Sequence, residues 1–332
     1  MTTTKGKASA RAKTQTKTKV TTPDHKEISI ETKNKANTEN CSQCRGSHYV
    51  LTNVKGHVHG ELCACFKCPE CGGRGHVFIE DETGISSLRE CGCATLVHRL
   101  KKLNEAGIPG KFSGTQLETF QPIGASQKMA LRIAKDFVQD YGTSAQGLLF
   151  MGRPGLGKTH LAVSIIKTLI LEKGADCKFV DFFQLLSDIR FGYSQDLSEQ
   201  AIINPYVAAP VLVIDELAKG RNTEWELTML DQIISSRYNA ADKITLFTTN
   251  YLDQEANPKK SGKGDSHVDT GSGNGRKVMS GDETLQEKIG ERIYSRLVEM
   301  CRSVKLEGMD YRQEMQGKMT APTASRPAKR RS

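Results

Sequence analysis

The stretch Gly147-Leu-Leu-Phe-Met-Gly-Arg-Pro-Gly-Leu-Gly-Lys-Thr159 decides the fold of this chain. Its first five residues form a short apolar run that predicts a buried strand, and a helical pattern follows from Lys158 to about Glu172. Between them, Gly152 to Thr159 fits the pattern G-x-x-x-x-G-K-[ST]. Because a strand precedes this pattern and a helix follows it, the stretch predicts a phosphate-binding loop (P-loop) and not a chance glycine-rich turn.

The residue types of this loop suit the phosphates of a nucleotide. Glycines let the chain curl so that backbone N–H groups point at phosphate oxygens, and the following helix adds the positive end of its dipole. We expect Lys158 to reach the β- and γ-phosphates of ATP and the Thr159 hydroxyl to bind Mg²⁺. The predicted nucleotide contacts in this region are Gly152, Pro154, Gly155, Gly157, Lys158, Thr159 and His160.

A second segment, Val211-Leu-Val-Ile-Asp-Glu216, is an apolar strand that ends in two carboxylates. An acidic turn after a strand is ordinary by itself, but this one follows the P-loop by some 50 residues. We therefore expect Asp215 to hold Mg²⁺ through water and Glu216 to orient or deprotonate the attacking water. The pair predicts ATP hydrolysis as well as binding.

Apolar strands alternate with amphipathic helices along residues 94–320. This alternation predicts an α/β fold in which helices flank a parallel sheet on both faces. The predicted strands are 147–151, 177–180, 211–214, 244–249 and 303–306. The predicted helices are 158–172, one from 182, 223–238 and 284–300.

Polar residues on two later elements are further candidates for the site. Asn250 follows the strand that ends at Thr249, where its amide would position water or touch the γ-phosphate; a turn-forming Asn is the alternative. Arg292 and Arg296 lie four residues apart on one predicted helix face. A guanidinium there would stabilise transition-state charge, including on a neighbouring subunit's nucleotide, unless this face is merely solvated.

Eight of the ten cysteines lie within residues 41–93, in four close pairs. Such pairs suit two tetrahedral zinc sites of four cysteines each, with a structural and partner-binding role instead of a catalytic one. Pairing 41/44 with 63/65 and 68/71 with 91/93 is the simplest arrangement, but an interleaved one that joins 41/44 with 68/71 fits the spacing equally. The predicted ligands are Cys41, Cys44, Cys63, Cys65, Cys68, Cys71, Cys91 and Cys93, with His48, His57 and His59 as possible substitutes.

Charge and composition divide the remainder of the chain. The net charge of the 332 residues is +9, yet residues 1–40 and 318–332 each carry +5 and the rest is close to neutral. Both segments are poor in large apolar side chains, so we predict disordered basic tails that either attract nucleic acid or an acidic partner or only solubilise the chain. A polar insertion is predicted at 254–283, inside an ATPase domain at 97–317 that follows a zinc-binding domain at 41–96.

Location follows from what the sequence lacks. No run of about 18 apolar residues predicts a membrane span, and the basic first 20 residues lack the apolar core of a secretory signal. Ten cysteines without such a signal favour a reducing compartment and metal ligation over disulfides. We therefore expect a cytoplasmic protein with no membrane partner, and we expect Cys177 and Cys301 to be core residues.

The segment before the P-loop indicates a family. Leu100-Lys-Lys-Leu-Asn-Glu-Ala-Gly-Ile-Pro-Gly-Lys-Phe112 and Leu117-Glu-Thr-Phe120 resemble the entry segment of bacterial replicative helicase loaders of the DnaC/DnaI type. These loaders are AAA+ ATPases and relatives of the IstB-type transposition ATPases. The resemblance covers about residues 97–316, apart from the insertion. A zinc-binding N-terminal domain is also similar to the DnaI-type loader, where it contacts the helicase, although the cysteine spacing here is its own.

The resemblance implies roles for particular residues. Asn250 looks like the first sensor, Arg296 like the arginine finger that acts on a neighbouring subunit, with Arg292 as its substitute, and Arg312 like the second sensor. The family also has a helix before the second carboxylate strand that helps to bind single-stranded DNA. Arg190-Phe-Gly-Tyr193 lies in that region, where its aromatic side chains would stack on bases or else be core or cap residues.

Three functions remain open from the sequence. The first is an ATP-dependent, slowly hydrolysing loader that assembles with itself and delivers a replicative helicase hexamer to single-stranded DNA. The second is an IstB-like transposition helper ATPase, which predicts binding to duplex DNA and a transposase. The third is a zinc-ribbon adaptor that binds ATP without hydrolysing it, which the intact Asp215–Glu216 pair opposes. The implied cofactors are ATP, Mg²⁺ and Zn²⁺.

Overall fold

The computed structural model describes residues 41–80, 84–252 and 283–311. Arg312, both predicted tails and all but the last residue of the predicted insertion lie outside these ranges. The helices of the described part include none that is both long and apolar enough to span a membrane.

A five-stranded parallel sheet forms the centre of the larger part of the molecule. Its strands are β5 (Gly147–Met151), β6 (Cys177–Asp181), β7 (Val211–Asp215), β8 (Ile244–Thr249) and β9 (Cys301–Lys305). They are arranged in the order β6-β7-β8-β5-β9, so the strand before the P-loop, β5, lies between β8 and β9. This arrangement confirms the predicted α/β class.

Helices cover both faces of the sheet, because alternate residues of each strand face opposite layers. Leu148 and Phe150 of β5 pack on one layer, and Leu149 and Met151 on the other. The first layer contains α1 (Ala94–Glu105), α2 (Ala125–Gln139) and α3 (Lys158–Lys173). The second contains α4 (Phe182–Ser194), α5 (Glu199–Val207), α6 (Glu224–Ala240), α7 (Leu285–Ile289) and α8 (Glu291–Met300).

The predicted helix at 284–300 is two helices, so that prediction was wrong at one position. Gly290 ends α7 and begins α8 with φ +81° and ψ 156°, a conformation that ordinary L-residues rarely adopt. Thr284 caps α7 through a capping box with Glu287. The break separates the helix that carries both candidate arginines, α8, from the shorter α7.

Two antiparallel hairpins precede the sheet. The first consists of β1 (Tyr49–Val54) and β2 (His57–Leu62), and the second of β3 (His76–Glu80) and β4 (Ser86–Glu90). Four cysteines flank each hairpin. We call residues 41–65, with the first hairpin and its four cysteines, the first module, and residues 68–93, with the second hairpin and its four cysteines, the second module. Helix α1 and a 3-10 helix (Gly110–Phe112) connect the modules to the sheet.

Candidate nucleotide site and metal centres

The P-loop connects β5 to α3 through three glycines with positive φ. Gly152, Gly155 and Gly157 have φ of 141°, 81° and 91°. A Cβ atom at Gly157 would lie 2.4 Å from the Phe120 ring, and one at Gly152 would lie 2.2 Å from the Leu306 carbonyl oxygen. Glycine is thus required both for the backbone conformation and for the close approach of neighbouring segments.

Lys158 is the first residue of α3 and is buried. Its Nζ donates hydrogen bonds to the carbonyl oxygens of Gly152 (2.6 Å) and Arg153 (2.8 Å). It also donates to Asn250 Oδ1 at 2.9 Å, at the end of β8. The structure therefore brings the P-loop lysine and the candidate first sensor into direct contact, although they are 92 positions apart.

Asp215 at the end of β7 accepts two hydroxyl hydrogen bonds on one oxygen. Thr159 Oγ1 donates to Asp215 Oδ1 at 2.8 Å, and Thr248 Oγ1 donates to the same atom at 2.6 Å. Burial raises the pKa of Asp215, while the two hydroxyl hydrogen bonds oppose this shift. The Thr159 hydroxyl and the Asp215 carboxylate are oxygen ligands of the type Mg²⁺ prefers, so these residues fit the predicted ion.

Glu216 follows with a left-handed backbone, φ +55°, which is uncommon for a residue other than glycine. Its N–H donates to Thr248 Oγ1 at 2.9 Å, so this one hydroxyl group contacts both carboxylate residues. Its side chain forms an ion pair with Lys219, three residues later. This contact raises the pKa of Lys219. Neither Thr248 nor Lys219 was among the predicted site residues.

These side chains surround a cavity of about 700 Å³ at the carboxyl edge of the sheet. This volume is within the usual range of small-molecule sites. Phe120 and His160 pack edge to face, with ring centroids 5.2 Å apart, and His160 hydrogen-bonds the Gln116 carbonyl at 3.0 Å. Burial lowers the pKa of His160. The cavity is lined by P-loop residues 154–160, by Asp181, Asp215, Glu216, Lys219, Thr248, Asn250 and Tyr311, and by entry-segment residues that include Pro109, Lys111, Phe112 and Phe120.

The segment after β9 covers the P-loop. Tyr311 N donates to the Gly155 carbonyl at 3.1 Å. A Cβ atom at Gly155 would lie 2.0 Å from Asp310 Oδ1, so that carboxyl group packs directly on the loop. Arg312, the candidate second sensor, is the next residue and lies outside the described part.

The candidate fingers Arg292 and Arg296 both contact Asp231 of α6. Arg296 Nη1 donates to Asp231 Oδ1 at 2.7 Å and to Ser235 Oγ at 2.6 Å. Arg292 Nη2 is 3.6 Å from Asp231 Oδ2, and its side chain is 73% exposed against 23% for Arg296. Neither arginine lines the cavity described above.

Helix α4 presents aromatic side chains at its surface. Phe191 is 66% exposed and Tyr193 is 37% exposed, so neither is a core residue. Arg190 lies over the Trp225 ring at 4.7 Å and is 3.4 Å from Glu226, which holds its guanidinium against α6.

The eight predicted zinc ligands form two groups. Within each group, the four sulfurs lie within 4.8 Å of one another. Sulfur pairs are 3.4 and 3.8 Å apart in the first group and 3.2 and 3.5 Å apart in the second. Tetrahedral zinc with Zn–S bonds of about 2.3 Å requires sulfurs about 3.8 Å apart, so both groups fit the ion. The groups are Cys41, Cys44, Cys63 and Cys65, and Cys68, Cys71, Cys91 and Cys93.

This grouping selects the sequential pairing and not the interleaved one. Backbone hydrogen bonds from Cys44 and Gln43 lower the pKa of the Cys41 thiol to about 6, which favours the thiolate that binds metal. In the second group, Gly75 N donates to Cys71 Sγ at 3.3 Å. Cys177 and Cys301 are buried elsewhere, in the sheet.

The segment that contains this site is similar to known ATP-binding and helicase-loader proteins. Residues 116–255 match the family described as IstB-like ATP binding protein. The replicative helicase loader DnaC of Escherichia coli strain K12 is 23% identical over 155 residues, which cover 46% of this chain and 63% of that protein. DnaC of Buchnera aphidicola subsp. Schizaphis graminum is 26% identical over 137 residues, which cover 41% of this chain and 55% of that protein.

A solved structure described as the crystal structure of the DnaC helicase loader is 28% identical, with a TM-score of 0.48, and covers 59% of this chain and 99% of that chain. The matched segments span only 63% of the Escherichia coli DnaC and 55% of the Buchnera aphidicola DnaC. The matched family region contains the P-loop, both carboxylates and Asn250. The comparisons confirm the resemblance to DnaC-type proteins and to the IstB-like ATP binding proteins over the part of the chain that contains the P-loop.

Proposed function

We propose that this protein is an ATP-hydrolysing AAA+ loader that delivers a replicative helicase hexamer to single-stranded DNA. One observation carries the ATPase part, namely the convergence of P-loop, carboxylate and sensor residues on a single cavity. The loader part is supported by the match of this domain to proteins named replicative helicase loader.

Each residue of the cavity has a distinct task in this proposal. Lys158 binds the β- and γ-phosphates, and Asn250, 2.9 Å from its Nζ, responds to the γ-phosphate. Thr159 and Asp215 hold Mg²⁺, which neutralises phosphate charge when bound. Glu216 orients the attacking water and accepts its proton. Arg312 would serve as the second sensor.

Assembly of several subunits would complete the site. Arg296 on α8 is held by Asp231 and Ser235 at a surface of the same chain. A neighbouring subunit whose cavity faces this surface would receive the guanidinium at its γ-phosphate. Turnover by isolated chains is then slow, and a partner or DNA that orders the assembly accelerates it.

A DNA-binding role for α4 is supported by its exposed aromatic side chains. Phe191 and Tyr193 lie beside Arg190 and offer ring faces and positive charge to unpaired bases. Bases stack on such rings without regard to sequence, which is what a loader requires of single-stranded DNA.

The second module has the surface that suits a protein partner. Phe78 and Leu88 lie directly opposite each other on β3 and β4, and they are 71% and 62% exposed. Apolar side chains this exposed on one hairpin face mark an interaction site. By the resemblance to DnaI-type loaders, we assign this face to the helicase.

The decisive experiment is a pull-down of the tagged full chain from its own cell extract with ATP, read by mass spectrometry. We expect the replicative helicase to be recovered, and lost with the double variant Phe78→Ser and Leu88→Ser. Met129→Ser, which removes a 54% exposed apolar side chain from α2, is the matched control and keeps the helicase. Recovery of a transposase in place of the helicase would refute the loader and establish the IstB-like alternative.

A further inference from the structure

A short turn at 109–112 lies between the first module and the nucleotide cavity. Pro109, Lys111 and Phe112 line that cavity on its entry-segment side. The Lys111 ammonium lies 4.9 Å from the centre of the Phe112 ring. A positive charge next to an aromatic ring is suited to a nucleotide, which offers both phosphate and a flat base.

The hairpin of the first module holds this turn through backbone hydrogen bonds. Gly110 N donates to the Gly56 carbonyl at 2.7 Å, and Val58 N donates to the Ile108 carbonyl at 2.8 Å. A Cβ atom at Gly110 would lie 2.0 Å from Asn53 Oδ1, so the Asn53 side chain packs directly on the Gly110 backbone. The turn thus pairs with the hairpin through a single antiparallel bridge between His57 and Pro109.

Side chains fix the same hairpin to the larger domain. Asn104 of α1 accepts a hydrogen bond from Gly60 N at 2.7 Å and donates one to the Gly60 carbonyl at 3.1 Å. Val58 is 2% exposed and belongs to the same core cluster as Leu103 and Ile108. The second module, by contrast, packs as a separate small cluster around Cys68, Cys71 and Cys91.

The helix that follows the P-loop forms hydrogen bonds with the chain immediately after the turn. Lys167 of α3 is 3% exposed, and its Nζ donates to the carbonyl oxygens of Phe112 (3.0 Å), Ser113 (2.7 Å) and Thr115 (2.7 Å). The segment at 109–115 is therefore fixed from one side by the first module and from the other by the P-loop helix.

We infer that the first module is a structural part of the nucleotide site, so that metal binding at Cys41, Cys44, Cys63 and Cys65 and ATP binding strengthen each other. This inference rests on the ATP-binding part of the proposed function. Lys111 and Phe112 contact the nucleotide, and the hairpin positions them. None of the described residues of the second module lines the cavity, so this module serves as an internal control.

The coupling has a simple physical basis. Four thiolates bound to one ion fix both ends of the first hairpin, and the hairpin fixes the turn at 109–112. A nucleotide that contacts the turn stabilises the docked hairpin in return, because linkage between two binding sites is reciprocal. ATP should therefore raise the metal affinity of the first module, and we expect the metal to leave it more slowly.

The test measures zinc release from the full zinc-loaded chain to a chromogenic chelator, with and without a saturating non-hydrolysable ATP analogue. We expect two phases of release, one of which the nucleotide slows by about fivefold or more while the other is unchanged. The double variant Cys68→Ser and Cys71→Ser keeps the nucleotide-sensitive phase, and Cys41→Ser with Cys44→Ser loses it. Equal release by the unaltered chain in both conditions would overturn the inference, and this comparison needs no variant to fold.

A substitution away from both sites tests the connection itself. Asn104→Ala removes the two hydrogen bonds to Gly60 and should abolish most of the nucleotide effect, whereas Asn204→Ala at an exposed position of α5 leaves it intact. Calorimetry under the same conditions measures nucleotide binding separately. A chain that binds the analogue without any change in zinc release contradicts the coupling alone, and a chain that does not bind it contradicts the proposed function.

Discussion

The hydroxyl of Thr248 donates a 2.6 Å hydrogen bond to the Asp215 carboxylate from the neighbouring strand. Because the same oxygen of Asp215 also accepts from Thr159, the P-loop helix, β7 and β8 meet at one atom. Strand β8 ends next to Asn250, which contacts Lys158. The end of β8 thus connects Asn250, the candidate first sensor, to the Asp215 carboxylate that is proposed to hold Mg²⁺.

Thr248→Val tests this arrangement while keeping the shape of the side chain. Without the hydroxyl, Asp215 loses one orienting donor and the Glu216 N–H loses its acceptor. We expect ATPase activity to fall by about 10- to 100-fold, as is usual when a group that orients a metal ligand is removed. The measurement is turnover as a function of Mg²⁺ concentration, which should show a higher requirement for the ion.

Thr168→Val is the matched control, because the Thr168 hydroxyl only donates to the Ser164 carbonyl of its own helix. Its Mg²⁺ requirement should equal that of the unaltered chain. If Thr248→Val showed unchanged turnover at all Mg²⁺ concentrations, the hydroxyl would have no part in the site.

Removal of the ion pair between Lys219 and Glu216 should raise turnover, in contrast to the loss expected for Thr248→Val. The ion pair with the Lys219 ammonium holds the Glu216 carboxylate away from the attacking water. We expect Lys219→Ala to raise basal ATP hydrolysis by about threefold or more, while Lys219→Arg, which keeps the charge, stays near the original rate. Phosphate release assays at saturating ATP measure both.

Glu216→Gln provides the reference for this series. It should lower hydrolysis by about 10²-fold or more and leave ATP binding intact. If Lys219→Ala were slower than the unaltered chain, Lys219 would assist the reaction and not restrain Glu216.

Site residues that belong to a local sequence pattern could be predicted, whereas a residue that matters only through a contact with a distant residue could not. The P-loop and the Asp215–Glu216 pair are contiguous patterns next to apolar strands, and their place at the sheet edge follows from strand order alone. Thr248 carries no local signal, since its partner Asp215 is 33 positions away. The break at Gly290 was missed because the apolar period continues across it, and only the backbone dihedrals of that glycine reveal the turn.

The two candidate fingers can be separated by mixing subunits. Arg296→Ala should lower turnover by about 10³-fold, as loss of an arginine finger does. Combined with Lys158→Ala chains, it should recover activity, because a subunit with an intact P-loop then meets a neighbour with an intact finger. No recovery at any ratio would exclude a trans role for Arg296.

Arg292→Ala is the comparison within the same helix. Its contact with Asp231 is longer and its side chain more exposed, so we expect a smaller loss of turnover than for Arg296→Ala. If Arg292→Ala caused the larger loss and recovered on mixing with Lys158→Ala, the finger would be Arg292.

Metal content tests the two cysteine groups directly. Protein purified without chelators should contain about two zinc ions per chain by elemental analysis, because each group offers four thiolates in tetrahedral reach. Cys71→Ser should lower this value by about one, and Cys177→Ser, which changes a buried cysteine outside both groups, should not. A value near zero for the unaltered chain would refute both sites.

Arg237 is the strongest candidate for a purely structural role among the charged residues described here. It is 1% exposed, and its guanidinium donates to Thr245 Oγ1 and to the carbonyl oxygens of Tyr206, Val207, Ala209 and Ile244, at 2.6–3.1 Å. Burial lowers its pKa to about 10, so it remains charged at neutral pH. These bonds fasten the chain between α5 and β7 to the start of β8.

Arg237→Met keeps the aliphatic stem but leaves five buried oxygens without their donor. We expect a loss of about 3 kcal/mol or more in the free energy of unfolding, or about 6–12 °C in the thermal midpoint. Arg132→Met removes an arginine that is 77% exposed and paired only at 3.9 Å with Asp136, and it should change the midpoint by at most about 2 °C. Equal midpoints for the two variants would mean that water replaces the guanidinium as the donor, and that the connection between α5 and β7 is held by packing instead.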